Sequence, residues 1–510
     1  MTTRDEKRRT YICIDLKTFY ASVECAERGR DPFTTNLVVA DPDRGTSTIC
    51  LAVSPAMKRL GVRNRCRVFE IPPGIDYIMA KPRMRRYMEV SAQIYGIYLE
   101  YVSAEDIHVY SIDECFIDAT AYLPRYGVSA EGLARNLMDA VRRRCGICAT
   151  AGIGPNLFLA KVALDICAKN DPNGIGVLDE QAFRDTVWTH RPITDIWGIG
   201  PGIARRLAHL NVHDLRGVAA LDERVLYREF GVNAEYLIDH AHGREPCTIA
   251  EIHAYRPEAA STTSGQVLAR AYSYEEAYTV LREMVHASVL DLVEKQAVCG
   301  QVSLFVGYAN DARETARIGA SGTAQFVDAC GTRRLSTEGL LPDRVAGPGE
   351  RAAPRLPPRA PRPAAERRPA AAAQGAPAAM PGEVFRGEHG ARTRAGRRAY
   401  GYAETSRKLG ERTNSFRRLM GYFDVLWSQT VDAARPIKRI NIGFGNLLPE
   451  DFATTDLFSD PKADGDERKL ARTLIAVHGK YGKNSLLKGV SLRTEATGRE
   501  RNEQVGGHHA

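Results

Sequence analysis

The sequence lacks several features that would place the protein in other classes. No stretch approaches the 18 or more apolar residues of a membrane-spanning helix. Residues 1–10 are charged and contain no apolar signal core. Cys145 and Cys148 form one Cys-x-x-Cys pair, but no second Cys or Cys/His pair stands at the spacing of a structural zinc site. We therefore expect a cytoplasmic protein whose cysteines are reduced thiols.

The composition of one segment is unusual, whereas the rest is that of a soluble globular protein. The length of 510 residues predicts three or four domains. The chain is 44% hydrophobic and 26% charged, as is usual for a globular protein. The net charge of +8 fits a polyanionic partner, although basic housekeeping enzymes share this balance. Residues 351–398 contain no lysine, are rich in Ala, Pro and Arg, and predict disorder. Two alternative explanations of that segment remain open, a disordered insertion or a reading-frame disruption upstream of residue 400.

Carboxylates lie where two short strand-like segments end or turn. Asp15 stands near the end of the apolar segment 11–16, and Asp113 and Glu114 lie in a predicted hairpin over 107–118 that turns at this pair. A buried carboxylate costs free energy without a partner, and a metal ion is a good partner. Oxygen ligands hold Mg²⁺, and two ions about 3.5–4 Å apart can bind both the attacking and the leaving oxygen in phosphoryl transfer. For Asp15 alone, a helix-capping role remains open, and we interpret Asp118 as a structural cap.

The alternation of strands and helices predicts an α+β palm-like sheet and not a Rossmann fold. Helices are expected at 19–27, 54–61 and 156–168, with Ser54 and Gly61 as the caps of the second. A strand–helix–strand pattern over 262–308 predicts a small separate α+β domain.

Two motifs resemble those of the Y-family of translesion DNA polymerases, in its UmuC-type branch. They are Asp-x-x-x-Phe-Tyr-Ala-Ser-x-Glu from Asp15 and Tyr-Ser-Ile-Asp-Glu-Cys-Phe-Ile-Asp from Tyr110. Further segments of the family pattern follow in the same order at 52–62, 152–161 and 197–200, and the tail 498–508 also agrees.

The resemblance implies a right-hand polymerase architecture with palm, fingers, thumb and little-finger domains, the thumb carrying a helix-hairpin-helix. Its boundaries would be palm 11–35 and 76–185, fingers 36–75, thumb 186–248, little finger 249–310 and 405–448, a low-complexity or disordered segment 311–404, and a tail 449–510. A reading-frame disruption in that segment would leave the little finger disrupted.

The resemblance also implies the chemistry and the catalytic residues. Asp15, Asp113 and Glu114 would be the catalytic carboxylates and would bind two Mg²⁺ ions, with the Leu16 carbonyl as a further ligand. The reaction would be template-directed, error-prone extension of a DNA primer with dNTPs, by attack of the 3′-hydroxyl on the α-phosphate.

Four further positions match residues that bind the incoming nucleotide in the family. Tyr20 matches the steric gate, whose ring would clash with a ribose 2′-hydroxyl, and Phe19 would support it; aromatic packing on the first helix is the alternative. Lys58 and Lys169 match triphosphate contacts, although either lysine alone is more typical of a solvated surface charge. Pro55 stands where many relatives have Tyr, so the grip of the finger helix differs.

Two segments imply macromolecular partners. Gly198, Gly200 and Gly202 match a helix-hairpin-helix whose backbone N–H groups bind a DNA phosphate without sequence preference, although such turns also occur as plain connectors. The segment 454–458 resembles a sliding-clamp peptide, with Thr454 in place of the usual Gln.

Two alternative functions remain open from the sequence. One is a DNA-binding accessory protein or an inactive polymerase homologue with a disrupted little finger. The other is a palm-fold nucleotide cyclase, because Ser-Ile-Asp-Glu-Cys-Phe at a hairpin loosely resembles that class.

Overall fold

The structure, a computed structural model, describes most of the chain. The described residues are 9–46, 48–169, 171–255, 260–309, 325–327, 333–335, 401–454, 460–505 and 508–509. The predicted low-complexity segment 311–404 therefore lies outside them, apart from two short strands and residues 401–404. No described helix is long and apolar enough to cross a membrane. The chain divides into two compact units, and the boundary between them in the sequence follows residue 255.

A five-stranded sheet forms the centre of the first unit. Its strand order is β5-β6-β1-β7-β8, with β1 antiparallel to both of its neighbours and β8 parallel to β7. The strands are β1 (Tyr11–Leu16), β5 (Ile107–Val109), β6 (Glu114–Asp118), β7 (Ala149–Gly154) and β8 (Ile175–Val177). A three-stranded sheet of β2 (Leu37–Val39), β3 (Ala52–Val53) and β4 (Ile78–Ala80) accompanies it.

Helices cover both faces of the five-stranded sheet, which explains why β1 is apolar on both sides. Ile12, Ile14 and Leu16 share one core cluster with α3 and α5, while Tyr11 and Cys13 pack against α6. The helices of the first part of this unit are α1 (Phe19–Ala26), α2 (Pro55–Arg59), α3 (Met84–Leu99), α4 (Tyr122–Tyr126), α5 (Ala130–Cys145) and α6 (Leu157–Val162).

Two predicted helix boundaries are wrong in detail. Ser54 caps α2 as predicted, since its hydroxyl accepts from the Met57 N–H, but the C-cap is Leu60, and Gly61 follows it with φ +86°. The helix predicted over 156–168 is α-helical only to Val162 and continues as a π-helix, Ala163–Ala168.

A helical region completes the first unit around its own core, which includes Trp197, Leu207 and Leu237. Its helices are α7 (Glu180–Thr186), α8 (Pro201–His209), α9 (Leu215–Ala220), α10 (Glu223–Phe230), α11 (Ala234–Ala241) and α12 (Ile249–Ala254). Short 3₁₀ turns in this unit lie at Pro42–Arg44, Val68–Glu70, Ala104–Asp106, Ile193–Asp195 and Gly231–Asn233.

The second unit is built on a four-stranded antiparallel sheet of order β13-β10-β14-β9. The strands are β9 (Ala260–Tyr272), β10 (Ala297–Tyr308), β13 (Tyr402–Thr413) and β14 (Ile437–Pro449); β11 (Gln325–Val327) and β12 (Arg333–Leu335) form a separate short pair. Because β10 pairs with both β13 and β14, strands from either side of residues 310–400 share one sheet. The strand–helix–strand pattern predicted over 262–308 is confirmed as β9, a helix over Tyr274–Glu294, and β10.

Helices of the second unit bury a core that includes Met284, Phe423 and Trp427. They are α13 (Tyr274–Glu294), α14 (Phe416–Thr430), α15 (Pro461–Tyr481) and α16 (Gly498–Asn502), with 3₁₀ turns at Glu450–Phe452 and Gly489–Leu492. The last short strands are β15 (Gln504–Val505) and β16 (His508–His509). The ten described cysteines are free thiols, and Cys13, Cys50, Cys115 and Cys299 are among the buried ones.

Candidate active site

The register of β1 and β6 brings the three predicted carboxylates to one end of the sheet. Asp15 lies directly opposite Glu114, and the Leu16 N–H donates to the Asp113 carbonyl oxygen at 2.9 Å. The N–H groups of Tyr110 and Ser111 both donate to the Glu114 carbonyl oxygen, at 2.9 and 3.0 Å. We call residues 110–114 the carboxylate turn. Glu114 is the first residue of β6 rather than part of the hairpin tip.

The helix-capping alternative for Asp15 is wrong, because α1 begins one residue after Thr18, which is its N-cap. Burial, together with the negative charges of Glu114 and Asp113, raises the pKa of Asp15 to about 7, against the opposing charges of Lys169 and Lys161. The charges of Glu114 and Asp113 thus disfavour ionisation of Asp15, and a divalent cation among the three carboxylates would reverse that preference.

The donor chemistry suits a hard cation, but the side chains do not form a completed metal cage. Within the described residues, no group of three or more His, Cys, Asp or Glu side chains is arranged to hold a metal ion. Glu114 Oε1 instead accepts from Lys161 Nζ at 2.7 Å and from Cys13 Sγ at 3.2 Å. Asp113 Oδ1 accepts from Ser111 Oγ at 2.7 Å. The residue types and their placement at one end of the sheet fit Mg²⁺.

Lys161 is the main residue of this site that motif analysis did not single out. It lies on α6, is only 7% exposed, and bridges Glu114 and Asp165 at 2.7 and 3.0 Å. Burial lowers the pKa of Lys161, but the charges of Glu114 and Asp165 outweigh that effect and raise it, so the side chain stays a cation. The sequence signal for this role was a lysine among the apolar residues of α6, because a buried ammonium group requires a charged or hydrogen-bonding partner.

Replacing Lys161 with methionine is expected to lower the thermal midpoint by about 5 °C. The change leaves Glu114 without its ammonium partner and Asp165 with Lys169 alone, a loss of about 2 kcal/mol. The measurement is thermal unfolding followed by circular dichroism at neutral pH. Lys169→Met is the matched control, because Lys169 also pairs with Asp165, at 2.8 Å, but is half-exposed and should matter little. Equal midpoints for the two variants would contradict the structural role of Lys161.

The predicted gate residue lies beside the carboxylates and packs on an aromatic wall. Tyr20 stacks on Tyr87 with ring centroids 4.5 Å apart, and Tyr87 is buried and donates its hydroxyl to Glu24 at 2.9 Å. Burial and the charge of Asp113 raise the pKa of Tyr20, which places the phenol within reach of that charge. Phe19 is buried beneath, with its ring 5.8 Å from that of Tyr20. Tyr20 therefore packs against other aromatic residues and also lies beside the carboxylates, so its aromatic packing does not exclude the gate role.

The two predicted triphosphate lysines face the same end of the sheet. Desolvation lowers the pKa of Lys58, the Asp15 charge opposes this, and the Lys169 charge adds to it. The Lys169 ammonium therefore lies close enough to Lys58 to lower its pKa, and both lysines lie near the Asp15 carboxylate. Lys169 is held by Asp165, so Lys161, Asp165 and Lys169 form one charged row along the helix after β7.

Of the three predicted DNA-binding glycines, one has a backbone requirement for glycine. Gly198 has φ +92°, Gly200 is the N-cap of α8, and Gly202 lies within that helix with free space around it. We call residues 197–202 the glycine hairpin. In the predicted clamp peptide, residues 455–458 lie outside the described residues, and Thr454 pairs with the Arg412 backbone.

Comparison with known proteins gives consistent matches. A family model described as the impB/mucB/samB family matches residues 14–165. The "Putative UV-damage repair protein UvrX" of Bacillus subtilis is 32% identical over 308 residues, which are 60% of this chain and 72% of that protein. A "DNA polymerase IV" of Alkalilimnicola ehrlichii is 29% identical over 67% of this chain and 92% of its own length. A solved chimera of the Y-family polymerases Dbh and Dpo4 shares the fold, with a TM-score of 0.53, 17% identity, and coverage of 86% of this chain and 99% of the chimera.

Proposed function

We propose roles for individual residues from the family to which this chain belongs, the Y-family of DNA polymerases. The membership is shown by a relative that is 32% identical to this chain and is matched over 72% of the relative's own length. The chain is a DNA-directed DNA polymerase of the translesion type, and enzymes of this family use divalent metal ions. The observation that carries the site assignment is the register that sets Asp15 opposite Glu114, beside Asp113.

Asp15, Asp113 and Glu114, with the Leu16 carbonyl, would hold two Mg²⁺ ions. When bound, such ions lower the pKa of the primer 3′-hydroxyl and offset the charge that develops on pyrophosphate. Ser111 orients Asp113 through its hydroxyl, and Lys161 positions Glu114 through its ammonium group. Lys58 and Lys169 would offer point charges to the triphosphate, without the fork geometry of arginine.

Primer–template DNA and dNTPs would be the substrates, with the glycine hairpin holding a backbone phosphate through its N–H groups. The palm, fingers, thumb and little-finger boundaries given from the sequence are our assignment for the described elements. Binding of a sliding clamp through 454–458 and a cytoplasmic location stay predictions.

The two alternative functions have less support. The inactive-homologue hypothesis depended on a scrambled little finger, whereas β10, β13 and β14 pair across the interruption in one sheet. The cyclase hypothesis does not account for the glycine hairpin or for the family membership.

The test of the proposed function is single-nucleotide extension of a primer on four templates that differ at the first unpaired base. We expect Mg²⁺-dependent incorporation of the complementary dNTP on each template, and none when the template strand is omitted. Incubation with ATP or GTP alone is run beside it. DNA binding without any extension would support an accessory protein instead, and a cyclic product without DNA would support a cyclase.

Replacing Tyr20 with alanine is expected to weaken discrimination against ribonucleotides by about 100-fold. The ring then no longer occupies the space that a 2′-hydroxyl would enter, while the carboxylates are untouched. The measurement is the ratio of kcat/KM for a dNTP to that for the matching rNTP. Tyr20→Phe is the control, because it keeps the ring on Tyr87 and should keep the ratio. An unchanged ratio in the alanine variant would remove Tyr20 from the gate role.

A further inference from the structure

Three aromatic rings connect the carboxylate turn to the glycine hairpin. The Trp197 indole N–H donates to the Tyr110 hydroxyl at 3.2 Å, and the two rings meet edge to face with centroids 6.1 Å apart. Phe116 contacts both, at 5.7 Å from Tyr110 and 6.1 Å from Trp197. Tyr110 is the first residue of the turn, and Trp197 is the first residue of the hairpin.

The two ends of this contact differ in how firmly they are held. Trp197 is 6% exposed and stacks on His240, with centroids 6.0 Å apart. Tyr110 is 41% exposed, and the Trp197 N–H is the partner of its hydroxyl in the described residues. The Tyr110 backbone N–H in turn donates to the Glu114 carbonyl oxygen. The Tyr110 residue therefore connects the glycine hairpin, through its hydroxyl, to the Glu114 carbonyl oxygen, through its backbone N–H.

We propose that the Trp197–Tyr110 contact couples DNA binding at the glycine hairpin to metal binding at the carboxylate turn, which makes both residues positioning residues. The inference rests on the proposed function of the two segments. A DNA phosphate bound at the hairpin N–H groups fixes the residue next to Gly198, and the indole N–H then holds the turn. Ordering the turn before the metal arrives removes part of the cost of metal binding. By linkage, metal at the turn favours DNA at the hairpin to the same extent.

The test measures Mn²⁺ binding directly, by the electron paramagnetic resonance signal of the free ion. Wild-type protein is titrated with and without a primer–template whose primer ends in a dideoxynucleotide, so that no reaction occurs. We expect the DNA to tighten Mn²⁺ binding by about fivefold in the wild type, within the usual range of such coupling. In Tyr110→Phe and in Trp197→Phe the ratio of Mn²⁺ affinities with and without DNA should fall below about twofold.

Trp188→Phe is the matched control, because Trp188 donates its indole N–H to the Ala241 carbonyl at 2.7 Å and has no bond to the turn. It should keep the wild-type tightening, whereas a general loss of packing would reduce it too. If Trp197→Phe does not fold, the exposed Tyr110→Phe decides the result alone. Wild-type tightening in Tyr110→Phe, or none in the wild type, would overturn the coupling. Equal Mn²⁺ affinity of Asp113→Ala and wild type would instead overturn the proposed metal site.

Discussion

Replacing Asp113 and Glu114 together with alanine is expected to reduce primer extension by about a thousandfold or more, while DNA affinity measured without divalent metal stays near the wild-type value. Two of the three carboxylates are lost, so the charge that would hold a divalent cation at the end of β1 and β6 disappears. The backbone of the turn keeps its hydrogen bonds, since Leu16, Tyr110 and Ser111 donate to carbonyl groups that the variant retains. The measurement is single-turnover incorporation of one dNTP, with DNA affinity determined by fluorescence anisotropy.

Asp118→Asn serves as the control on the same strand. Asp118 lies at the far end of β6, where it pairs with Arg9 at 2.9 Å and accepts from the Thr120 N–H at 3.1 Å. We expect it to leave the rate of incorporation unchanged, because its role is structural, as the sequence predicted. Extension at the wild-type rate by the double alanine variant would remove both carboxylates from the chemistry.

Replacing Gly152 with alanine is expected to lower the free energy of unfolding by more than about 3 kcal/mol, which corresponds to about 10 °C in the thermal midpoint. Gly152 lies on β7 beneath α6, and a Cβ there would lie 2.1 Å from the Ala160 carbonyl oxygen and 2.2 Å from the Leu164 nitrogen. Both atoms belong to the backbone and cannot move without displacing the helix. Because α6 carries Lys161, the displacement would also take the ammonium away from Glu114.

Gly96→Ala is the matched control for that change. Gly96 lies on the exposed side of α3, its φ is ordinary, and a methyl group added there would meet no atom within 4 Å. Alanine at this position should stabilise the protein by about 0.5–1 kcal/mol, because it reduces the freedom of the unfolded chain. The two midpoints should therefore shift in opposite directions. A thermal midpoint of Gly152→Ala within about 2 °C of the wild type would contradict the close packing of α6 on β7.

Local sequence patterns predicted the elements that carry the site. The apolar segment 11–16, the hairpin at 107–118 and the helix after Ser54 all form near their predicted positions, because each depends on residues close in the chain. The family membership and the mixed α/β fold are confirmed by the relatives and by the solved chimera.

Residues whose role depends on tertiary contacts were not predictable in this way. That Asp15 lies opposite Glu114 depends on strand register, which local periodicity does not specify across so many intervening residues. Lys161 meets Glu114 only when α6 packs on the sheet, and Tyr110 meets Trp197 only through the folded unit. The π-helix after Val162 likewise departs from the regular period that predicts a single helix over 156–168.

The central claim is that Asp15 on β1 and the Asp113–Glu114 pair at the start of β6 form one divalent-metal site for nucleotidyl transfer. Its most direct test is the rate of single-nucleotide incorporation by Asp15→Asn, compared with Asp113→Ala/Glu114→Ala and with the triple variant at saturating DNA and Mg²⁺. Because groups that act as a unit are not additive, we expect all three to share the same residual rate, at least about a thousandfold below the wild type. A wild-type rate for Asp15→Asn, or losses that multiply in the triple variant, would show that the two strands do not share one site.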